Sequence, residues 1–254
     1  MRRIDFLGSP VDSVSMQDTL QKIDDFVALG SPHQILVMNA NKLSQIRSDK
    51  RLLQITRAAE LVVPEKAVVM AAAFLGTPLK EHVGGIMLAM ALLPHAEKQG
   101  HSIFFLGAQP AILQAMLNKL HRDHPSLRIA GYNDGYFMPQ EEPALLERIR
   151  HSKPDVLLVA MGTPRQEYWI RDHFHELGVP VYIGVGGTFD VIAGLKKDAP
   201  AWIRRFALEW LFRLVQDPRN LWRRYLTTIP WFIGRVIVER ICGRKPCLLP
   251  AVEK

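Results

Sequence analysis

The sequence predicts an α/β fold. It reads as a Rossmann-like, mainly parallel sheet with helices on both faces, followed by a basic helical appendage. Three observations predict it. Short apolar runs alternate with helical patterns through residues 1–200. Several of those runs end in loops built from Gly, Thr and Pro. The net charge lies entirely in the last 54 residues. Alternation of this kind needs crossover connections, and crossovers give parallel strands covered on both faces.

The elements follow in order. Residues 16–29 place Met16, Leu20, Ile23 and Val27 three to four apart, the period of a helix with one apolar face. Residues 35–38 are a short apolar run, read as a buried strand, and 61–63 are another. Helical patterns at 66–75 and 86–99 lead to a strand at 103–106. Residues 111–121 are helical, with Pro110 at the start, where its fixed φ and missing N–H are tolerated. A helix at 143–151 precedes a strand at 156–160. A helix at 165–177 precedes a last strand at 181–185. Neither an internal repeat nor a low-complexity linker interrupts the series.

The predicted domains are a body of residues 1–200 and an appendage of residues 201–254. The appendage holds 11 Lys+Arg against 4 Asp+Glu, a net +7, while the body is neutral. It also carries Trp202, Phe206, Trp210, Trp222, Trp231 and Phe232. Arginine mixed with tryptophan at helical spacing suits an anionic membrane surface. The apolar positions 202, 203, 206, 210 and 214 are expected to pack in part on the body. Residues 221–244 are harder to explain by packing and are assigned to lipid. A nucleic-acid partner is not expected, because the charge is interleaved with large apolar residues and no nucleic-acid module is recognisable.

Arg2 and Arg3 lead into IDFLG without the apolar run of a signal peptide. Residues 229–238 are broken by Arg235 and fall short of the ~20 apolar residues of a membrane span. The expected location is therefore the cytoplasm, peripheral on the inner face of the cell membrane. Cys242 and Cys247 have neither zinc spacing nor an oxidising compartment to pair them, and are read as free thiols. The pairs His121/His124 and His173/His175 lack an adjacent ligand set and are read as solvated surface. No metal site and no cofactor is expected. Asp-x-Asp, a common metal-holding pair, does not occur, and Asp24-Asp25 is read as a solvated helix face.

In open α/β sheets ligands bind at the carboxyl ends of strands. Three predicted strand ends carry loop chemistry here: Gly107-Ala108-Gln109-Pro110, Gly162-Thr163-Pro164-Arg165-Gln166-Glu167, and Gly184-Val185-Gly186-Gly187-Thr188-Phe189-Asp190. Helix N-termini at such loops offer free N–H groups and partial positive charge, which suit phosphate. None is a Walker loop or a dinucleotide fingerprint, so ATPase and dehydrogenase readings are not favoured.

Taken together with Asn39-Ala40-Asn41 and Gly135-Tyr136-Phe137, these blocks resemble the WecG/TagA/CpsF glycosyltransferases, glycosyltransferase family 26. The resemblance covers roughly residues 37 to 225. It implies an inverting enzyme that moves a sugar, N-acetylmannosamine or glucose among others, from a UDP-sugar to a sugar on undecaprenyl diphosphate. The product is a β-linkage in cell-surface or exopolysaccharide assembly. It also implies an appendage that completes the active site, and self-association into a homo-oligomer. The family's base is an Asp after a strand, and the matching residue is Glu65, in Val63-Pro64-Glu65-Lys66. Lys66 stands in place of a Gly beside it. Asn39 and Asn41 are implied at the catalytic centre. Gly107, Tyr136, Gln166, Glu167, Gly186, Gly187 and Asp190 are implied in substrate binding, and Arg213, Arg223 and Arg224 are nominated to meet the charge of the departing UDP. Asn39 stands where the family often has Thr, His82 where Arg is usual, Met87 where an acidic residue is common, and Asp198 where a basic one is. These departures motivate the alternative of a catalytically silent member that binds UDP-sugar or lipid and scaffolds an assembly complex.

Overall fold

The computed structural model describes residues 1–196, 200, 209–216 and 218–249. An antiparallel hairpin opens the chain, β1 (Arg2–Phe6) with β2 (Ser9–Ser13). Then come α1 (Met16–Leu29), β3 (His33–Met38), α2 (Ala40–Ile46), α3 (Lys50–Ala58) and β4 (Leu61–Pro64). Next are α4 (Lys66–Phe74), α5 (Gly85–Gln99), β5 (Ser102–Gly107), α6 (Pro110–Asp123) and β6 (Arg128–Asn133). The body ends with α7 (Glu142–Ser152), β7 (Val156–Ala160), α8 (Arg165–Leu177), β8 (Val181–Gly184) and α9 (Thr188–Ile192). Helices α10 (Glu209–Gln216) and α11 (Pro218–Ile241) follow, and the short β9 (Cys247–Leu248) returns to pair with β1.

The main sheet is six-stranded and parallel, in the order β4-β3-β8-β7-β5-β6. The predicted parallel α/β architecture is therefore the observed one. Its strands are buried on both faces, which is why they read as continuous apolar runs. Ile35, Val37, Leu61, Val63, Phe105, Leu158 and Ile183 face one core with α1, α5, α6 and α9. The alternate residues face the other side. Leu36, Met38 and Val62 pack with the hairpin and with α2, α3, α4 and α11, while Phe104, Leu157, Val159 and Tyr182 pack with α7 and α8.

Strand order sets the site. β3 and β8 are neighbours, yet the helix after β3 packs on one face and the helix after β8 on the other. Their loops diverge and leave a crevice outside the carboxyl ends, where ligands bind in such sheets.

The appendage is docked. Phe232 and Val236 of α11 are buried in the same core as Phe6, Leu43 and Leu75. Burying a side chain of this size stabilises by ~1.5–3 kcal/mol. The Phe6 and Phe232 rings lie 6.5 Å apart, and Arg47 of the body covers Trp231 at 5.5 Å. Part of the segment assigned to lipid from sequence thus packs on the body. Elsewhere on α11, Trp222, Leu226, Val238 and Ile241 are exposed. The helical stripe read at 202–214 lies outside the described residues up to position 208.

Candidate functional site

A cavity of about 650 Å³ opens at the carboxyl ends of β3, β4, β7 and β8. Each wall has a local cause. Asn39 ends β3 in extended conformation and caps α2, its Oδ1 accepting from the Lys42 amide at 2.9 Å. This turns Asn39 and Asn41 onto the cavity. Asn41 Oδ1 also accepts from Thr228 Oγ1 of α11 at 3.4 Å, so the appendage reaches the floor of the site. Glu65 occupies the N-cap position of α4 without using its side chain as a cap. Its side chain lines the cavity, with its Cγ beside Gly84 at the start of α5. Among the described residues no ion pair joins Glu65 to Lys66.

Beneath the cavity runs a buried polar chain. Gln166 Oε1 accepts from the amides of Gly162 at 3.2 Å and Gly186 at 3.0 Å, tying the loop after β7 to the loop after β8. Gln166 Nε2 donates to Glu167 Oε1 at 2.9 Å. The same oxygen meets Lys42 Nζ at 2.8 Å, and Lys42 also donates to the Val37 carbonyl at 2.9 Å. Glu167 Oε2 is buried and, among the described residues, has no hydrogen-bond partner. Gly184 must be glycine for this chain to form, because a Cβ there would sit 2.5 Å from Gln166 Nε2.

The sequence-nominated residues separate into groups. Asn39, Asn41, Glu65, Gln166, Gly186 and Gly187 line the cavity together. Glu167 lies under it, 1% exposed. Asp190 sits in the first turn of α9 and pairs with Lys196 at 3.2 Å. Gly107 ends β5, where a Cβ would strike the Ala160 carbonyl at 2.5 Å, and a Cβ on Gly135 would press on the Gly107 α-carbon at 3.2 Å. Tyr136 projects beside it, 66% exposed. Both stand on the same edge of the sheet but beyond the cavity. Arg223 is exposed and lies over the Trp222 ring at 5.2 Å. The side chains of Arg213 and Arg224 lie outside the described residues, as does Asp198. Asn39, Glu65, Lys66, His82 and Met87, the positions expected from the resemblance to differ from the family pattern, all line this one cavity.

Sequence reading missed Lys42. A lysine in a helical segment looks solvent-facing, and only the Glu167 partner 125 positions later explains its burial at 2% exposure. It missed the apolar wall from α11 as well. Two histidine readings change. His124 meets Glu97 at 3.0 Å, and His173, 16% exposed, lies between Glu142 and Glu176. Asp24 is likewise engaged, accepting from His95 and His101 at 2.8 Å each. Among the described residues no group of three or more His, Cys, Asp or Glu could hold a metal ion, and no helix is long and apolar enough to cross a membrane.

A parallel sheet with a cavity at its switch point, lined by a carboxylate, two asparagines and a glycine loop, has the placement of a ligand site in open α/β folds. A profile of the glycosyl transferase WecG/TagA/CpsF family matches residues 4–246, and the chain belongs to that family. It is 37% identical over 190 residues to a protein of Bacillus spizizenii (strain ATCC 23059 / NRRL B-14472 / W23), covering 74% of this chain and 72% of that one. It is 32% identical over 207 residues to one of Bacillus subtilis (strain 168), covering 81% and 78%. It is 30% identical over 237 residues to one of Staphylococcus aureus (strain MW2), covering 92% of each. All three relatives are described as N-acetylglucosaminyldiphosphoundecaprenol N-acetyl-beta-D-mannosaminyltransferases.

Proposed function

We propose that the chain transfers a hexose or N-acetylhexosamine, N-acetylmannosamine or glucose, from a UDP-sugar to a sugar carried on undecaprenyl diphosphate, with inversion. The observation that carries this reading is the position of Glu65. Its side chain stands at the end of β4, makes no cap and, among the described residues, no ion pair, and lines the cavity shared with Asn39, Asn41 and the loop 184–188. A base placed there takes the proton of the acceptor hydroxyl as that oxygen attacks the anomeric carbon of the donor. The bond to UDP breaks on the opposite face, and the linkage formed is β.

The remaining parts follow. The Gln166 bonds fix the two glycine loops relative to each other, which is the preorganisation a diphosphate site needs. The first turn of α5 and Lys66 bring positive potential to the cavity wall. Asn39 and Asn41 are placed to hold sugar hydroxyls. The lipid acceptor is consistent with the basic, partly apolar face of α11, and the protein works peripherally on an anionic membrane.

The test is UDP release by the full chain from a panel of UDP-sugars, with an N-acetylglucosamine-diphosphate carried on a short prenyl chain as acceptor. Acceptor-dependent release from one donor supports the reading. UDP-sugar binding without release from any donor points instead to the silent, scaffolding member of the family.

A further inference from the structure

The cavity has two unlike ends. Its floor is polar, with Asn41, Glu65 and His82. Its outer part is walled by α4, through Met70 and Phe74, and by α11, through Ile229, Ile233 and Ile237. The two helices run the same way, from the floor outward. At the inner end Thr228 touches Asn41. At the outer end the Arg240 guanidinium lies 5.6 Å over the Phe74 ring, and Lys245 approaches Gly76. At 1.5 Å rise per residue, α4 gives this trough a length of about 12 Å.

The trough is open and apolar. Phe74 is 54% exposed, Ile233 52%, Met70 48% and Ile237 46%. Single exposed apolar residues are ordinary, but four lining one channel that starts at a polar floor form a contiguous patch that marks a binding surface. Arg240, Arg244 and Lys245 stand exposed at its outer end.

We propose that the trough between α4 and α11 receives the first isoprene units of a polyprenyl-diphosphate substrate. The inference rests on the glycosyl-transfer reading and adds where the chain lies. The head group reaches the floor beside Glu65, and the chain leaves past Arg240 toward an anionic bilayer. Three features select this occupant over a second copy of the protein. The apolar strip is concave and leads inward to the polar floor. A protein surface laid over it would close the cavity. The basic outer end matches anionic lipid headgroups, which a second +7 chain does not offer.

The experiment is calorimetric binding to the full chain of geranylgeranyl diphosphate, below its aggregation concentration, and of inorganic pyrophosphate. Wild type is expected to bind the prenyl compound at least about tenfold more tightly, since each buried CH₂ contributes. The double variant Ile233→Ser/Ile237→Ser and, from the opposite wall, Met70→Ser should each erase most of that preference and leave pyrophosphate binding unchanged. These side chains are half exposed, so the fold should tolerate the changes, and circular dichroism checks this. An unchanged preference in both variants overturns the proposal. So does a variant that turns a sedimenting dimer into a monomer while keeping the preference, because the strip is then a protein interface. The binding readout does not depend on turnover. A failed UDP-release assay therefore defeats the transfer reading without touching this result, and the reverse also holds.

Discussion

Lys42 and Glu167, from helices far apart in sequence, form an ion pair of 2.8 Å with both side chains 2% exposed. The pair is the anchor of the chain that runs through Gln166 to the amides of Gly162 and Gly186. Removing one partner leaves a buried charge uncompensated, which typically costs ~3–5 kcal/mol. Lys42→Met should therefore lower the urea midpoint sharply. Lys42→Met combined with Glu167→Gln should recover much of that loss, because neither charge then remains. Losses that simply add in the double variant would mean that the two side chains are not coupled.

Glu65 carries a different expectation. Glu65→Gln keeps size and removes proton-accepting power. Transfer should fall by ~10²–10⁴, the usual contribution of a general base. UDP affinity should stay within a few-fold of wild type, since the glycine loops and Gln166 are untouched. Steady-state kinetics beside a UDP titration measures both. Near-normal turnover in the Gln variant would falsify the assignment of the base.

Much of this was legible in the sequence, for physical reasons. Strands β3, β4, β5, β7 and β8 are buried on both faces, so their apolar runs stand out. Helices α1 and α6 alternate buried and exposed residues at the helical period. β6 was missed because its residues are mostly half exposed at the sheet edge and include Gly131. β1 and β2 were missed because charge interrupts them. Arg3 and Asp12 are buried as a pair, joined by two hydrogen bonds of 2.8 and 2.7 Å and held further by the Glu60 carbonyl and the Val62 amide. α2 and α3 are short and lie between stronger signals. In the site, the glycine loops announced themselves, but the Lys42–Glu167 pair depends on tertiary contact alone. The bimodal character of α11, with Phe232 buried and Ile233 exposed, could not be read from a stretch whose apolar residues run nearly all round.

A pH dependence follows from Asp18. The Lys80 ammonium bonds its carboxylate at 2.9 Å. The Ser15 amide and hydroxyl complete a capping box at the start of α1. The Lys80 bond first, then those of Ser15, lower its pKa from 3.8 to about 2. A depressed carboxylate stabilises the fold above its unfolded value, and that contribution is lost as pH falls through the folded value. Wild type should therefore be more stable than Asp18→Asn at neutral pH, and the gap should close between 3.8 and about 2. The group is exposed, so the gap should also shrink in high salt. Urea midpoints of both proteins across pH test this, and a gap that is constant down to the lowest pH defeats it.

The last prediction concerns the exposed basic side of α11. The sequence alone suggests deleting residues 201–254 to test vesicle binding. The structure argues against that experiment, because deletion strips Phe232 and Val236 from a core they share with Phe6 and Leu43. A truncated protein could lose vesicle binding simply by misfolding. Surface charge offers a cleaner handle. Arg223, Arg240 and Arg244 are exposed on and just beyond α11, and Trp222, Val238 and Ile241 are exposed among them. Each basic residue near an anionic surface contributes ~1 kcal/mol. The triple variant Arg223→Gln/Arg240→Gln/Arg244→Gln should thus lose ~3 kcal/mol of affinity for anionic vesicles, about two orders of magnitude. Its urea midpoint should barely move, because none of the three side chains is buried. Wild-type binding should weaken as salt rises, and the variant's residual binding should be less salt-dependent. Co-sedimentation with phosphatidylglycerol vesicles over a salt series measures all of this. If the variant binds as tightly as wild type at low salt, the basic face of α11 is not what holds the protein to lipid.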